Sequence, residues 1–185
     1  MRIIAGRWRG TRLATVGKGD PGAHLRPTPD RVRESLFSML THMGVLEGAR
    51  VLDLFAGTGA LGLEALSRGA ASAVFVENGR VAQRLISENI QRLKAADQTR
   101  VIRADATRLG EWEQAPFDLV FLDPPYGKSM GQSAVEAVRA WMAPGAIVVW
   151  EESSFMLPPA GFTPLDQRRF GEAHVTLLER DDMTA

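Results

Sequence analysis

From Arg50 onward, short apolar runs alternate with stretches in which apolar residues recur every three or four positions. Runs of four to eight residues read as strands, and the 3.6-residue period reads as helix. The predicted strands are Val51–Phe55, Ala73–Glu77, Thr99–Arg103, Phe117–Leu122 and Ala146–Glu151. Helices are predicted between them near Leu61–Arg68, Arg80–Ala95, Ala106–Glu113 and Gln132–Met142. Strands that are apolar throughout are buried on both faces, as in a parallel sheet covered by helices. The end of the chain differs: Phe162–Phe170, Gly171-Glu172 and Ala173–Glu179 read as an antiparallel hairpin. The expected fold is α/β, a seven-stranded, mostly parallel sheet ending in that hairpin.

Before residue 28 the pattern breaks down into Arg, Gly and Pro. Residues 1–28 read as an arm, with Arg2–Ala5 and Thr11–Ala14 as a short hairpin and a turn-rich loop over Gly17–Ala23. A helix is expected from Thr28-Pro29, with Thr28 as N-cap and Pro29 in the first turn, running through Val32, Leu36 and Leu40 to Gly44. Residues 29–180 then form the core of a single domain, and Asp181–Ala185 is a frayed tail.

Length supports one domain: 185 residues can bury a core without a disulfide or metal staple. Cysteine is absent, which excludes disulfides, thiolate zinc sites and a cysteine nucleophile. His24, His42 and His174 are scattered and suggest no metal site. No apolar run approaches the roughly 20 residues that span a bilayer, and the start resembles no signal peptide, so a cytoplasmic protein is expected. The net charge is zero, but unevenly spread. Residues 1–34 carry eight basic and three acidic side chains, net +5, and the other 151 carry 14 and 19, net −5. That split excludes a uniformly basic coat and predicts a basic arm on an acidic body.

Candidate chemistry begins at Val51-Leu52-Asp53-Leu54-Phe55-Ala56-Gly57-Thr58-Gly59-Ala60-Leu61-Gly62. Gly57, Gly59 and Gly62 satisfy G-x-G-x-x-G between a strand and a helix, the arrangement that brings backbone close to a ligand. Asp53 precedes the first glycine. A carboxylate there repels a pyrophosphate and suits a ligand bearing an amino group and a sulfonium, namely S-adenosylmethionine. Glu77, with Asn78 after it, closes the next strand where an acid can accept hydrogen bonds from ribose hydroxyls. Asp105 and Ala106 follow the third strand, placed to meet an adenine. A tight turn with capping acids and no ligand is the bland alternative.

The fourth strand runs into Asp123-Pro124-Pro125-Tyr126-Gly127. Two prolines stop the strand and stiffen the turn. An exocyclic amine on a nucleobase is a poor nucleophile because its lone pair is delocalised into the ring. A fixed carboxylate, Asp123, and a fixed carbonyl, Pro124, can each accept one N–H and favour the pyramidal, positively charged nitrogen. Tyr126 can stack on the base. Lys128 and Ser129 could line the entrance, and Glu151-Glu152 reads as a solvated acidic strand end.

The two turns together resemble the class I S-adenosylmethionine-dependent methyltransferases that act on amino groups. The string Leu25-Arg26-Pro27-Thr28-Pro29-Asp30-Arg31-Val32-Arg33-Glu34-Ser35-Leu36-Phe37, with Arg2-Ile3-Ile4-Ala5-Gly6 before it, narrows this. It is similar to the bacterial RsmD-type methyltransferases, and the likeness runs from Arg2 to about Glu179. The resemblance implies a Rossmann-like methyltransferase fold and methylation of guanine N2 in small-subunit (16S) ribosomal RNA. It implies cofactor contacts from Asp53, Phe55, Gly57, Thr58, Gly59, Glu77, Asn78, Asp105 and Ala106, and a catalytic turn of Asp123, Pro124, Pro125 and Tyr126. Arg26, Thr28, Arg31 and Glu34 fall in the stretch that closes over the methionine end of the cofactor. Arg7, Trp8, Arg9, Arg12, Arg31 and Lys128 are the expected RNA contacts, combining phosphate binding with base stacking. A monomer acting on RNA within a small-subunit particle is expected.

Other functions remain open at this point. DNA adenine-N6 and cytosine-N4 methyltransferases use the same Asp-Pro-Pro-Tyr chemistry, but 185 residues leave little room for a target-recognition region. An inactive RNA-binding assembly factor would not need Asp53, Asp123 and Tyr126. A nicotinamide oxidoreductase explains neither Asp53 nor the proline turn.

Overall fold

The structure, a computed structural model, describes residues 1–17 and 28–182. After the arm come α1 (Asp30–His42), β1 (Arg50–Leu54), α2 (Ala60–Ser67), β2 (Ser72–Val76), α3 (Arg80–Arg92) and β3 (Thr99–Ile102). Then follow β4 (Phe117–Leu122), α4 (Met130–Ala137), β5 (Met142–Glu152), β6 (Phe162–Phe170) and β7 (Ala173–Arg180). The seven strands form one sheet in the order β3-β2-β1-β4-β5-β7-β6. The first five are parallel, and β7 lies antiparallel between β5 and β6. This is the expected fold class. The strand order reverses beside β1, which places a crevice at the carboxyl ends of β1 and β4.

Alternation along the strands feeds two cores. Val51, Phe75, Phe121 and Val149 face α1, α2 and α3, against Phe37, Leu40, Leu63, Leu66 and Ile86. Leu52, Leu54, Val74, Val76, Val120 and Val148 face α4 and the aromatic group of Trp112, Phe117 and Trp141. Trp112 and Trp141 stack with ring centroids 4.9 Å apart.

Four local expectations are corrected. No helix forms over Ala106–Glu113; residues 103–116 make a turn and an irregular run. Gly110 weakens a helix there, and its carbonyl is taken by the Trp141 indole at 3.0 Å. The Asp105 carboxylate adds an Asx turn by accepting the Thr107 N–H at 2.9 Å. Second, α1 begins at Asp30 with Pro29 as its N-cap and no side-chain cap, so Thr28 does not serve. Third, the fourth helix stops at Ala137, and β5 begins at Met142 rather than Ala146. Fourth, Asp181 is held, its N–H donating to the Gly161 carbonyl at 3.0 Å. Residues 183–185 and most of the Gly17–Ala23 loop lie outside the described residues.

The arm folds back on itself through an antiparallel bridge, Arg2 to Arg12, with the Ile3 N–H donating to the Thr11 carbonyl at 2.9 Å and the Leu13 N–H to the Met1 carbonyl at 3.2 Å. It is fastened to α2 by Glu64, a fully buried acid in a largely apolar helix. Glu64 accepts the N–H groups of Ile4 and Ala5 at 2.8 and 3.0 Å and pairs with Arg68 at 2.8 Å. Arg33 of α1, also fully buried, lies 3.7 Å from Glu64 and 2.6 Å from Asp30, and donates to the Arg2 carbonyl at 2.7 Å.

Among the described residues, the basic side chains of the arm and α1 therefore do not form one outward patch. Arg33 is buried, Arg2 lies 3.4 Å from Asp30, and Arg7 donates to Gln98 while lying over the Trp8 ring. Arg9, Arg12 and Arg31 are exposed and separate along the chain.

Candidate active site

Four parallel strands deliver acids to one edge of the sheet. In spatial order these are Asp105 beyond β3, Glu77 beyond β2, Asp53 within β1 and Asp123 beyond β4. Glu151 and Glu152 end β5 at the same level, because Leu122 pairs with Trp150.

Asp53 does not face the ligand edge openly. It pairs in register with Phe75 and Phe121, so alternation turns its side chain into the α1–α2–α3 core. It is 2% exposed, and its Oδ2 accepts the Gly62 N–H at 2.9 Å, satisfying a donor in the first turn of α2. Burial pushes its carboxyl up to about 8; the Gly62 hydrogen bond opposes that and the nearby Glu77 reinforces it.

The glycine turn itself is braced by Glu77. One carboxylate oxygen accepts the Gly57 N–H at 3.0 Å and the other accepts the Gly79 N–H at 2.7 Å. Phe55, Gly57 and Gly59 all have positive φ, of 57°, 59° and 77°. The two glycines adopt this freely, whereas Phe55 stores strain at the strand end. Gly62 has a different reason: a Cβ there would lie 2.5 Å from the Phe75 ring. It lets α2 close on β2.

The Asp-Pro-Pro-Tyr turn is strapped to β5. The Tyr126 hydroxyl donates to Glu151 Oε1 at 2.8 Å, and the Gly127 N–H donates to Glu152 Oε1 at 3.3 Å. Glu152 is buried and also accepts from the Ser153 N–H and hydroxyl, which corrects the expectation of a solvated strand end. Asp123 keeps some exposed surface but is ringed by protein. Burial raises its carboxyl well above the usual carboxylate range, and Glu151, Asp53 and Glu152 add to the rise. Asp105 goes the other way, held low by the Thr107 N–H and hydroxyl.

The structure brings Phe55, Gly57, Thr58, Gly59 and Glu77 to the strand ends beside Asp123, Pro124, Pro125 and Tyr126, with the Asp53 side chain turned into the core behind them. Asn78 is exposed next to Glu77, and Ala106 is buried beyond β3. The C-terminal ends of α1 and α2 meet where Arg68 reaches Thr41 at 3.5 Å. Exposed Lys128 follows Tyr126 directly.

Arg7, Trp8 and Arg9 are not part of this grouping. Arg7 and Trp8 donate backbone N–H groups to Ser67, at the far end of α2, about 12 Å from the glycine turn by helical rise. Two open clefts of about 490 and 500 Å³ lie at that far end and share Arg68; neither is lined by any of the acids at the strand ends. Arg26 lies outside the described residues.

Glu64, Arg33 and Asn89 are three buried polar helix residues whose roles sequence reasoning missed. Each interrupts an apolar helical stripe, and that interruption was a legible signal. Among the described residues no group of His, Cys, Asp and Glu suits a metal ion. No helix among them is long and apolar enough to cross a membrane.

A reversed parallel sheet with an antiparallel β7, a glycine turn after β1 and an Asp-Pro-Pro-Tyr turn after β4 define a class I α/β methyltransferase. Within that class the chain belongs to the family described as Conserved hypothetical protein 95, whose model matches residues 1–179. It is 36% identical over 186 residues to Ribosomal RNA small subunit methyltransferase D of Escherichia coli strain K12, covering 98% of this chain and 90% of that protein. The protein of the same name from Haemophilus influenzae is 35% identical over 178 residues, covering 92% and 89%. The solved structure of yhhF from Escherichia coli matches with a TM-score of 0.84 at 36% identity, over 98% of each chain.

Proposed function

We propose that this protein transfers a methyl group from S-adenosylmethionine to the N2 amine of a guanine in small-subunit (16S) ribosomal RNA. The reading rests on the activity named for its relatives together with one observation: the Asp-Pro-Pro-Tyr turn is fixed to β5 beside the glycine turn. It acts in the cytoplasm, as a monomer, on RNA within a small-subunit particle.

The donor set suits the cofactor. The crevice is rich in carboxylates, burial raises the Asp53 carboxyl to about 8, and Gly57 and Gly59 leave the backbone bare. Asp53, Phe55, Gly57, Thr58 and Gly59 would hold the methionine end, with Arg26, Thr28 and Arg31 closing over it. Glu77 and Asn78 would take the ribose, and Asp105 and Ala106 the adenine. The bound cofactor supplies a methyl group on a positively charged sulfur.

The chain's own residues do the rest. Asp123 and the Pro124 carbonyl each accept one amine N–H, which localises the nitrogen lone pair and aims it. Tyr126 stacks on the base, its ring angle fixed by Glu151. Asp123 in its ionised form can receive the proton that the amine sheds after transfer. The base must leave its stack to reach this edge.

Guanine fits the edge better than adenine or cytosine. Beside its amine guanine carries a ring N–H, a donor that Glu151 can accept. Adenine and cytosine carry an acceptor nitrogen there, which a carboxylate repels. Exposed Arg12, Arg31 and Lys128 contribute phosphate contacts, with Arg7, Trp8 and Arg9 further out along α2.

The deciding experiment supplies tritiated S-adenosylmethionine with naked 16S RNA, intact small subunits or duplex DNA, the ribosomal substrates coming from a strain lacking such modification. The expected product is N2-methylguanosine in RNA from the subunits. Label in DNA, or in another nucleoside, overturns the reading.

A further inference from the structure

The fully buried Asn89 of α3 joins two segments that are far apart in sequence. Its Oδ1 accepts the Ala14 N–H at 2.6 Å, and its Nδ2 donates to the Ala14 carbonyl at 3.2 Å. In effect its amide pairs with the arm as a strand would. The same Nδ2 donates its other hydrogen to the Thr58 carbonyl at 2.9 Å, between the two left-handed glycines of the turn. Both donors and the acceptor are thus committed.

The other end of the arm converges on the same residue. The Thr58 hydroxyl lies 3.5 Å from Met1 Sδ, and the Met1 carbonyl accepts the Leu13 N–H at 3.2 Å. Met1 and Ala14 therefore bracket Thr58. A peptide flanked by two glycines has little preference of its own, so what holds its carbonyl sets its orientation. Asn89 turns that carbonyl inward, away from the crevice where its lone pair would meet a ligand.

We propose that Asn89 is a positioning residue that couples the seating of the arm to the ligand-ready shape of the glycine turn. Each state favours the other, so filling the turn tightens the arm, and an arm held on RNA tightens the turn. The proposal rests on the turn being the S-adenosylmethionine site. The arm also touches α3 through Arg92, whose Nη1 donates to the Arg12 carbonyl at 2.8 Å without reaching the turn. Arg92 therefore serves as a control for simple anchoring.

The test measures S-adenosylhomocysteine affinity by calorimetry and amide exchange over residues 13–16 with and without that ligand. In the wild type, ligand slows exchange in the arm. Asn89→Leu weakens binding about tenfold or more and abolishes the ligand-dependent change, whereas Arg92→Ala stays within twofold and keeps it. Ala14→Pro breaks the joint from the arm side and reproduces the Asn89→Leu result, so it carries the test alone should Asn89→Leu not fold. Wild-type affinity in a folded Asn89→Leu or in Ala14→Pro, or an arm indifferent to ligand in the wild type, overturns the coupling. No binding to the wild type overturns the cofactor reading, and the coupling with it.

Discussion

The Tyr126 hydroxyl donates to the Glu151 carboxylate at 2.8 Å, tying the turn after β4 to the end of the neighbouring strand β5. Strand pairing brings the two ends level, and the hydrogen bond fixes the angle of the only tyrosine in the chain. Tyr126→Phe keeps the ring and removes the tie. A hydrogen bond to a charged group contributes about 1.5–3 kcal/mol, so kcat should fall about tenfold or more. Cofactor affinity should hold. Steady-state methyl transfer with an unaltered kcat would show that the tie does not orient the ring.

Asp123 accepts one of the two amine hydrogens in the proposed reaction. Asp123→Ala should cost about 2–4 kcal/mol of transition-state stabilisation, typical of one preorganised group. Single-turnover methyl transfer checks it, with S-adenosylhomocysteine binding as the control. Full activity would remove Asp123 from the chemistry.

The guanine preference can be tested with a base analogue. Replacing the target guanine by 2-aminopurine keeps the amine and removes the ring N–H together with the neighbouring carbonyl oxygen. The wild type should slow by about tenfold or more, in line with one charge-assisted hydrogen bond of ~1.5–3 kcal/mol. Glu151→Gln retains an oxygen for the Tyr126 hydroxyl and should narrow the gap between the two bases. Equal rates on guanine and 2-aminopurine in the wild type would sink the preference.

The carboxyl of Asp53, raised from 3.8 to about 8, makes stability and binding depend on pH. Between those values the folded chain holds a proton that the unfolded chain releases. Its contribution to stability is full below about pH 4 and is lost as pH rises through about 8. Asp53→Asn keeps an oxygen for the Gly62 N–H and cannot ionise. Its stability relative to wild type should therefore rise from pH 5.5 to pH 8.5 in urea titrations. A cationic ligand favours the ionised form, so binding near neutrality should release protons, seen as heats that vary with the buffer's ionisation enthalpy. Buffer-independent heats would place the cation elsewhere.

Glu64 gathers two arm N–H groups, Arg68 and the buried Arg33. Glu64→Ala leaves a buried guanidinium without a counter-charge there and should destabilise by about 3–5 kcal/mol. Adding Arg33→Met should recover part of that loss. Urea unfolding decides, and a cost below about 1 kcal/mol would mean that water reaches Arg33.

The sheet was readable because its central strands are apolar on both faces, a pattern that few other folds produce. Ala106–Glu113 misled because its apolar spacing suits a helix, while the pull of Trp141 on the Gly110 carbonyl is a contact made across 31 residues. The glycine and proline turns were legible as spacing. The inward turn of Asp53 was present in the alternation, since it shares a face with Val51 and not with Leu52. The charge split in the first 34 residues was real but carried no orientation, and Arg33 shows that a basic residue on a helix can be wholly interior.

Gly62 carries a consequence for descent. A Cβ at that position would strike the Phe75 ring, on a strand outside the glycine turn. Drift at the last glycine of the motif therefore requires a smaller side chain on β2 at the same time. The two positions behave as one inherited unit, and lineages that lose the glycine should be found to have lost the phenylalanine.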